Sequence, residues 1–172
     1  LRALAMIGGD AIAASIAKLI EHPLGDTEDE HVTQRAILAA LALVRVGSKA
    51  DVPAMRRLAE RADAKFGAES STSRQLRYLY ASLLVAVATP ALQDEIDGLY
   101  ATEDVRLRAL AVLGWSRLKN DSTAESLRRA LADPSPKIRL YAARAIGPEA
   151  SQVLTTLVQS VGLQAIIHTL KY

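Results

Sequence analysis

The chain has 172 residues, with 21 basic and 19 acidic side chains and a net charge of +2, so a nucleic-acid partner would have to be argued from a local patch and not from overall charge. It contains no cysteine, which excludes disulfides, thiolate metal sites and a cysteine nucleophile. Only 4 % of residues are aromatic, Gly and Pro number 9 and 6, and Ala and Leu dominate the apolar half, a composition that favours helices over a β-sandwich.

The first stretch, LRALAMIG at 1–8, repeats LRALAVLG at 107–114 in six of eight positions. It reads as the end of a helix stopped by Gly8 and Gly9, with Asp10 placed to cap a second helix over 11–21 that ends at Pro23. The polar, acid-rich connection 22–30 reads as a loop. A helix over 31–46 follows, with Ile37, Leu38, Leu41, Leu43 and Val44 forming an apolar stripe wide enough to be covered on more than one side. Gly47 ends it, Asp51 is the expected cap of a partner helix over 52–64, and Met55, Leu58, Ala59 and Ala62 point inward.

The Ser-rich segment FGAESSTS at 66–73 is the best place for a flexible joint. Helices are then predicted over 74–88 and 91–100, with Pro90 in the first turn of the latter, over 103–118 and 123–132, and over 136–146 and 149–161. A further helix begins at 163–172. Because the chain opens without Met inside a repeated pattern, it reads as a piece of a longer protein, one domain built of units at about 1–22, 31–64, 74–100, 103–132 and 136–161. The uncharged runs are too short or too polar to span a bilayer, and the compartment expected is the cytoplasm.

The closest internal match sets VRLRALAVLG at 105–114 against IRLYAARAIG at 138–147, an offset of 33. It equates Val105 with Ile138, Arg106 with Arg139, Ala109 with Ala142 and Gly114 with Gly147. The glycines at 8, 47, 114 and 147 read as hinges spaced by 39, 67 and 33, the long interval hiding a unit in which Ala86 takes the Gly position. Two helices per unit of 30–40 residues is the pattern of an α-solenoid, in which no unit buries its apolar face alone.

The segment DPSPKIRLYAARAIG at 133–147 resembles a HEAT repeat, of the bacterial kind also found in phycobilisome-lyase-like proteins. The matching features are the Asp133-Pro134 turn, the Ile138-Arg139 pair, the small Ala142-Ala143 and Gly147. The resemblance implies an all-α, right-handed superhelix of about five antiparallel helix pairs. It also implies structural roles for Arg106 and Arg139, bonding a neighbouring turn. It specifies architecture more than activity, since such arrays serve unrelated tasks.

Catalytic and ligand motifs are missing from the pattern. There is no G-x-S-x-G elbow and no phosphate-binding Gly loop. His22, His31 and His168 lie in different units without a partner at metal-ligand spacing, so neither metal nor cofactor is expected. The carboxylate groups Glu28-Asp29-Glu30 and Asp94-Glu95-Asp97 read as a solvated loop and as acids favouring a helix N-terminus.

In HEAT arrays the second helices line the concave face. Here they carry Lys18, then Arg56, Arg57 and Arg61, then Asp94, Glu95 and Asp97, then Arg128 and Arg129. This interrupted ridge is a poor track for a phosphate backbone and suits a protein partner of alternating charge. The expectation is a non-enzymatic scaffold that holds a protein or peptide through Arg56, Arg57, Arg61, Asp94, Asp97, Arg128 and Arg129, charges that the fold itself does not require. Arg74, Arg77, Tyr78 and Tyr80 form the densest Arg and Tyr group outside that face. The alternatives implied by resemblance are nucleic-acid binding in the manner of HEAT-like DNA glycosylases, with Trp115 and the tyrosines in the groove, and a bilin-lyase-like role. For those aromatics, packing between repeats is the simpler expectation. The apolar C-terminal end, 151–172, is expected either to lead into a further repeat or domain or to pack on a second copy.

Overall fold

A computed structural model describes residues 9–21, 24, 30–152, 155, 156 and 159. Within these lie eight α-helices: α1 (Gly9–Glu21), α2 (Glu30–Val46), α3 (Val52–Phe66), α4 (Ser71–Ala86), α5 (Gln93–Tyr100), α6 (Val105–Leu118), α7 (Asp121–Ala130) and α8 (Pro136–Ile146). The protein is all-α, and its helices pack mostly on sequence neighbours, as in α1 on α2, α3 on α4 and α5 on α6. None of the described helices is long and apolar enough to cross a membrane. The expected helices over 1–7 and 163–172, and the acids at 26, 28 and 29, lie outside the described residues, as do His22 and His168.

The chain divides into two compact units, Leu1–Val87 and Ala88–Tyr172. In the first, α1 touches α2 and α3, and α4 touches both α2 and α3. Its centre is Ile20, Leu43, Met55, Leu58, Leu76, Leu83 and Leu84, all sealed from solvent. The face that α2 buries is Ala36, Ala39, Ala40 and Leu43, the i, i+3, i+4, i+7 spacing of a helical stripe. Leu38 and Leu41, expected inside, are 51 % and 43 % exposed. The alanines decide this, because small side chains let neighbouring helices approach closely. Gly47 then ends α2 by necessity: its N–H bonds the Leu43 carbonyl at 2.7 Å, and a Cβ there would stand 2.5 Å from that same oxygen.

Two caps differ from expectation. The Asp51 carboxylate turns back to accept from the Ser48 N–H at 2.7 Å and from its hydroxyl at 3.2 Å, closing a short 3-10 turn, and makes no cap bond to α3. The Ser-rich stretch runs into the start of α4 at Ser71, where the Ser70 hydroxyl caps the helix by accepting from the Ser73 N–H at 3.1 Å. Serines gather there as capping residues, leaving only 67–70 between the two helices.

In the second unit α6 contacts α5, α7 and α8, and α7 contacts α8. The Asp104 carboxylate caps α6 by accepting from the N–H groups of Arg106 and Leu107 at 2.7 and 3.4 Å. Lys119, in the left-handed conformation at φ 50°, closes α6, and Asn120 caps α7 through the Thr123 N–H at 2.8 Å. Pro136 opens α8 and Gly147, at φ 82°, ends it. Gly114 is no hinge. It lies inside α6, buried where a Cβ would come within 2.9 Å of Ile96 on α5, so its smallness serves helix packing.

The internal register is 31 residues and not 33. Arg139 Nη1 donates to the carbonyls of Asp133 and Pro134 at 2.7 and 3.0 Å, and Arg108 Nη1 donates to those of Thr102 and Glu103 at 3.2 and 2.9 Å. Each arginine thus reaches six and five residues back to tie the turn before its own helix. Burial agrees: Leu107, Ala109, Ala111 and Val112 are buried, as are Ile138, Leu140, Ala142 and Ala143. The offset of 33 would instead equate Val105, 36 % exposed, with the fully buried Ile138. The side chain of α6 that ties the turn before it in this way is Arg108.

Candidate functional site

In the first unit, the end of α1 meets one face of α3. The last carbonyls of a helix have no partner within it and carry its partial negative charge, so cations gather there. Arg61 supplies two donors, Nη1 to the Glu21 carbonyl at 3.0 Å and Nη2 to that of Ile20. Lys65 Nζ donates to the Leu24 carbonyl at 2.6 Å. One turn earlier, Arg57 Nη2 pairs with the Glu21 carboxylate at 3.4 Å, both side chains more than half exposed at 57 % and 59 %. A pair so exposed contributes about 0–1 kcal/mol and exchanges readily.

Beside these contacts runs an open groove of about 460 Å3, lined by Glu21, Ala54, Arg57, Glu60, Arg61 and Ala64. Five of the six lie on α3, and four of these, Ala54, Arg57, Arg61 and Ala64, fall at i, i+3, i+7 and i+10, one helical face about 15 Å long. Two arginines thus stand between two alanines, with Glu60 beside them. Arg56 is exposed on the same helix. Arg77, on α4, pairs with Asp63 at 3.6 Å and donates to the Ala68 carbonyl, so it joins α4 to α3 and its connection. Arg74 is exposed, whereas Tyr78 and Tyr80 are half-buried.

In the second unit, Asp94 is exposed in the first turn of α5. Asp97 is drawn into the fold: its Oδ1 accepts from the Trp115 indole N–H at 2.6 Å, and the Tyr100 ring packs against that indole at 4.8 Å between centroids. Trp115 is 3 % exposed, and its burial requires a partner for the N–H. Arg128 is exposed and pairs with Glu125 at 3.6 Å, while exposed Arg129 donates to the Ser126 hydroxyl at 3.1 Å. Of the seven charges expected to be dispensable to the fold, Arg61 and Asp97 are thus tied into it. Arg57, Asp94 and Arg128 are presented to solvent. Arg56, Arg57 and Arg61 share α3 of the first unit, and Asp94, Asp97, Arg128 and Arg129 belong to α5 and α7 of the second.

The second unit also holds a buried charged cluster that sequence reasoning missed. Asp133, 5 % exposed, accepts from the Tyr100 hydroxyl at 2.8 Å, from Arg108 Nε and Nη2 at 3.2 and 3.3 Å, and from the Ser135 N–H at 2.8 Å. Burial alone would raise the carboxyl's pKa. The bonds from Ser135, Tyr100 and Arg108, with the Arg108 charge, outweigh it and hold the group below the ordinary carboxylate value. Burial, then the bond to Asp133 and its charge, push the Tyr100 phenol up to about 12 against the smaller pull of Arg108 and Arg129. The signal for this cluster was the Asp-Pro turn followed six residues later by Arg. The second arginine, from 25 residues earlier, had no local signature.

Among the described residues no group of three His, Asp or Glu side chains is placed to hold a metal ion. No protein-family model, no curated protein and no solved structure matches the chain.

Proposed function

We propose that the chain is a non-catalytic scaffold of HEAT-like helix pairs that holds a protein or peptide on its second helices, α1, α3, α5 and α7. Helices two apart in sequence touch within each unit, α1 with α3, α2 with α4 and α6 with α8, as stacked helix pairs require. The 31-residue recurrence of the arginine-tied turn at Arg108 and Arg139 supports the same reading.

The observation that carries the binding role is the groove beside α1 and α3. It offers two alanines along one face of α3 and a solvent-exposed ion pair, Arg57 with Glu21, that is weak. Binding there exchanges one weak ion pair for another while burying the two alanines. A base-excision role finds no support at Trp115, whose indole is buried and bonded to Asp97 and so is not offered to a base.

Peptides displayed on phage and selected on the purified chain test the proposal. Charge reversal by Arg57→Glu, at the groove, is expected to weaken capture at least tenfold, equivalent to about 1.4 kcal/mol. Exposed substitutions of this kind leave stability within about 0.5 kcal/mol, so the melting temperature is expected to hold. Capture unchanged by Arg57→Glu, or no peptide selected at all, contradicts the scaffold reading.

A further inference from the structure

We propose that the outward face of α2 is a second interaction surface, and that it receives an amphipathic helix of another protein whose apolar ridge is flanked by carboxylates. The surface lies on a first helix, so the inference goes beyond the second-helix reading and neither depends on the other.

Helix α2 turns its small residues inward. With Ala36, Ala39, Ala40 and Leu43 buried, larger apolar side chains are left on the other side: Leu38 and Leu41 are exposed, and Ile37 and Val44 beside them are half-buried. These four fall at i, i+1, i+4 and i+7, a continuous ridge of two turns. The solvated face of a surface helix is ordinarily polar, and a ridge of this kind packs into the groove of a second helix.

Charge selects the chemistry of that helix. Arg35 and Arg45 are exposed at the two ends of the ridge, about 15 Å apart along α2. Among the described residues neither takes part in a hydrogen bond or an ion pair. The exposed positions of α2 from 31 to 45 are His31, Gln34, Arg35, Leu38, Leu41 and Arg45, none of them acidic. Glu30, the one acid of α2, opens the helix about 22 Å from Arg45, and α4, packed against α2, contains no acid. The face therefore carries positive charge that an acidic partner complements. A second copy of the chain would bring the same two arginines to the same ridge, and like charges would meet. Two exposed leucines are also little surface for a lipid bilayer, to which binding grows with the apolar area buried.

Fluorescence anisotropy with the full chain tests this, using a dye-labelled helical peptide with leucines at i, i+3 and i+7 between glutamates, and its Gln-for-Glu counterpart. The Glu peptide is expected to bind, and the Gln peptide to bind about tenfold more weakly at low salt. Leu41→Ser and Arg45→Gln are each expected to weaken the Glu peptide severalfold; both sites are exposed, so the melting temperature is expected to hold. Arg57→Glu, on α3, is expected to leave this peptide's binding unchanged. No binding of the Glu peptide, equal binding of the Gln peptide, or equal binding by the Leu38→Ser, Leu41→Ser double variant would each overturn the proposal. So would cosedimentation with vesicles of phosphatidylcholine and phosphatidylserine that the double variant loses, or a dimer of the chain alone that it dissolves. A display-selected acidic peptide that shifted only α2 would support this inference and count against the second-helix reading.

Discussion

Replacing Asp133 with Asn removes a buried charge while keeping the side chain's size. The carboxylate is 3 % exposed and pairs with Arg108, whose side chain is 14 % exposed. Removing one partner of a buried ion pair costs about 3–5 kcal/mol, because the other charge stays behind unpaired. Arg108 keeps its bonds to the carbonyls of Thr102 and Glu103, which places the cost near the lower end, about 3 kcal/mol. For a chain of this size each kcal/mol moves the melting temperature by about 2–4 °C, so Asp133→Asn is expected to lower it by about 6–12 °C in a calorimetric scan. Adding Arg108→Met removes the stranded charge, so the double variant is expected to lose clearly less than the sum of the two single losses. A single-variant drop below about 2 °C, or strictly additive losses, would refute the coupling drawn between these side chains.

Two glycines should respond to Ala with opposite signs. At Gly114 the new methyl would meet Ile96, itself fully buried, at 2.9 Å, and overpacking of about 1–3 kcal/mol outweighs the roughly 1 kcal/mol gained in helix propensity. At Gly98 nothing lies within 4 Å, so Ala should stabilise by about 0.5–1 kcal/mol, and urea midpoints for the two variants give the sign. The Tyr100–Asp133 contact predicts the limits of the pH–stability curve. The Asp133 pKa is depressed on folding, so its contribution is present above the unfolded value near 3.9 and is lost as pH falls through the lower folded value. The Tyr100 pKa is raised, so its contribution is complete below about 10 and is lost as pH rises towards about 12. Alkaline absorbance titration should show a late phenol step that Tyr100→Phe removes; an unchanged late step would contradict the assignment.

The sequence was most legible where local chemistry dictates the outcome. Helix α8 occupies 136–146 as expected, because Pro136 sets its first turn and Gly147 adopts the positive φ that ends it. The all-helical class followed from composition in the same way. Partners far apart along the chain were not legible. Nothing local distinguishes Arg57 from Arg61, yet the second spends its donors on carbonyls of α1 some 40 residues away. Asp97 looked like another acid near a helix N-terminus until Trp115 was placed beside it. The register failed for a related reason: the alignment matched residue types between α6 and α8, whereas the recurring feature is the reach of an arginine to the turn behind it. In α2, alanines and leucines are similarly apolar, and only packing against α1 and α4 shows that the alanines face inward.

The proposed binding by the second helices can be read on the molecule itself. Amide chemical shifts recorded while a display-selected peptide is titrated into the labelled chain test it most directly. The largest changes are expected on α1, α3, α5 or α7, with those of α3 centred on Arg56, Arg57 and Arg61. Changes confined to the first helices, such as the exposed Leu38 and Leu41 face of α2, would contradict it.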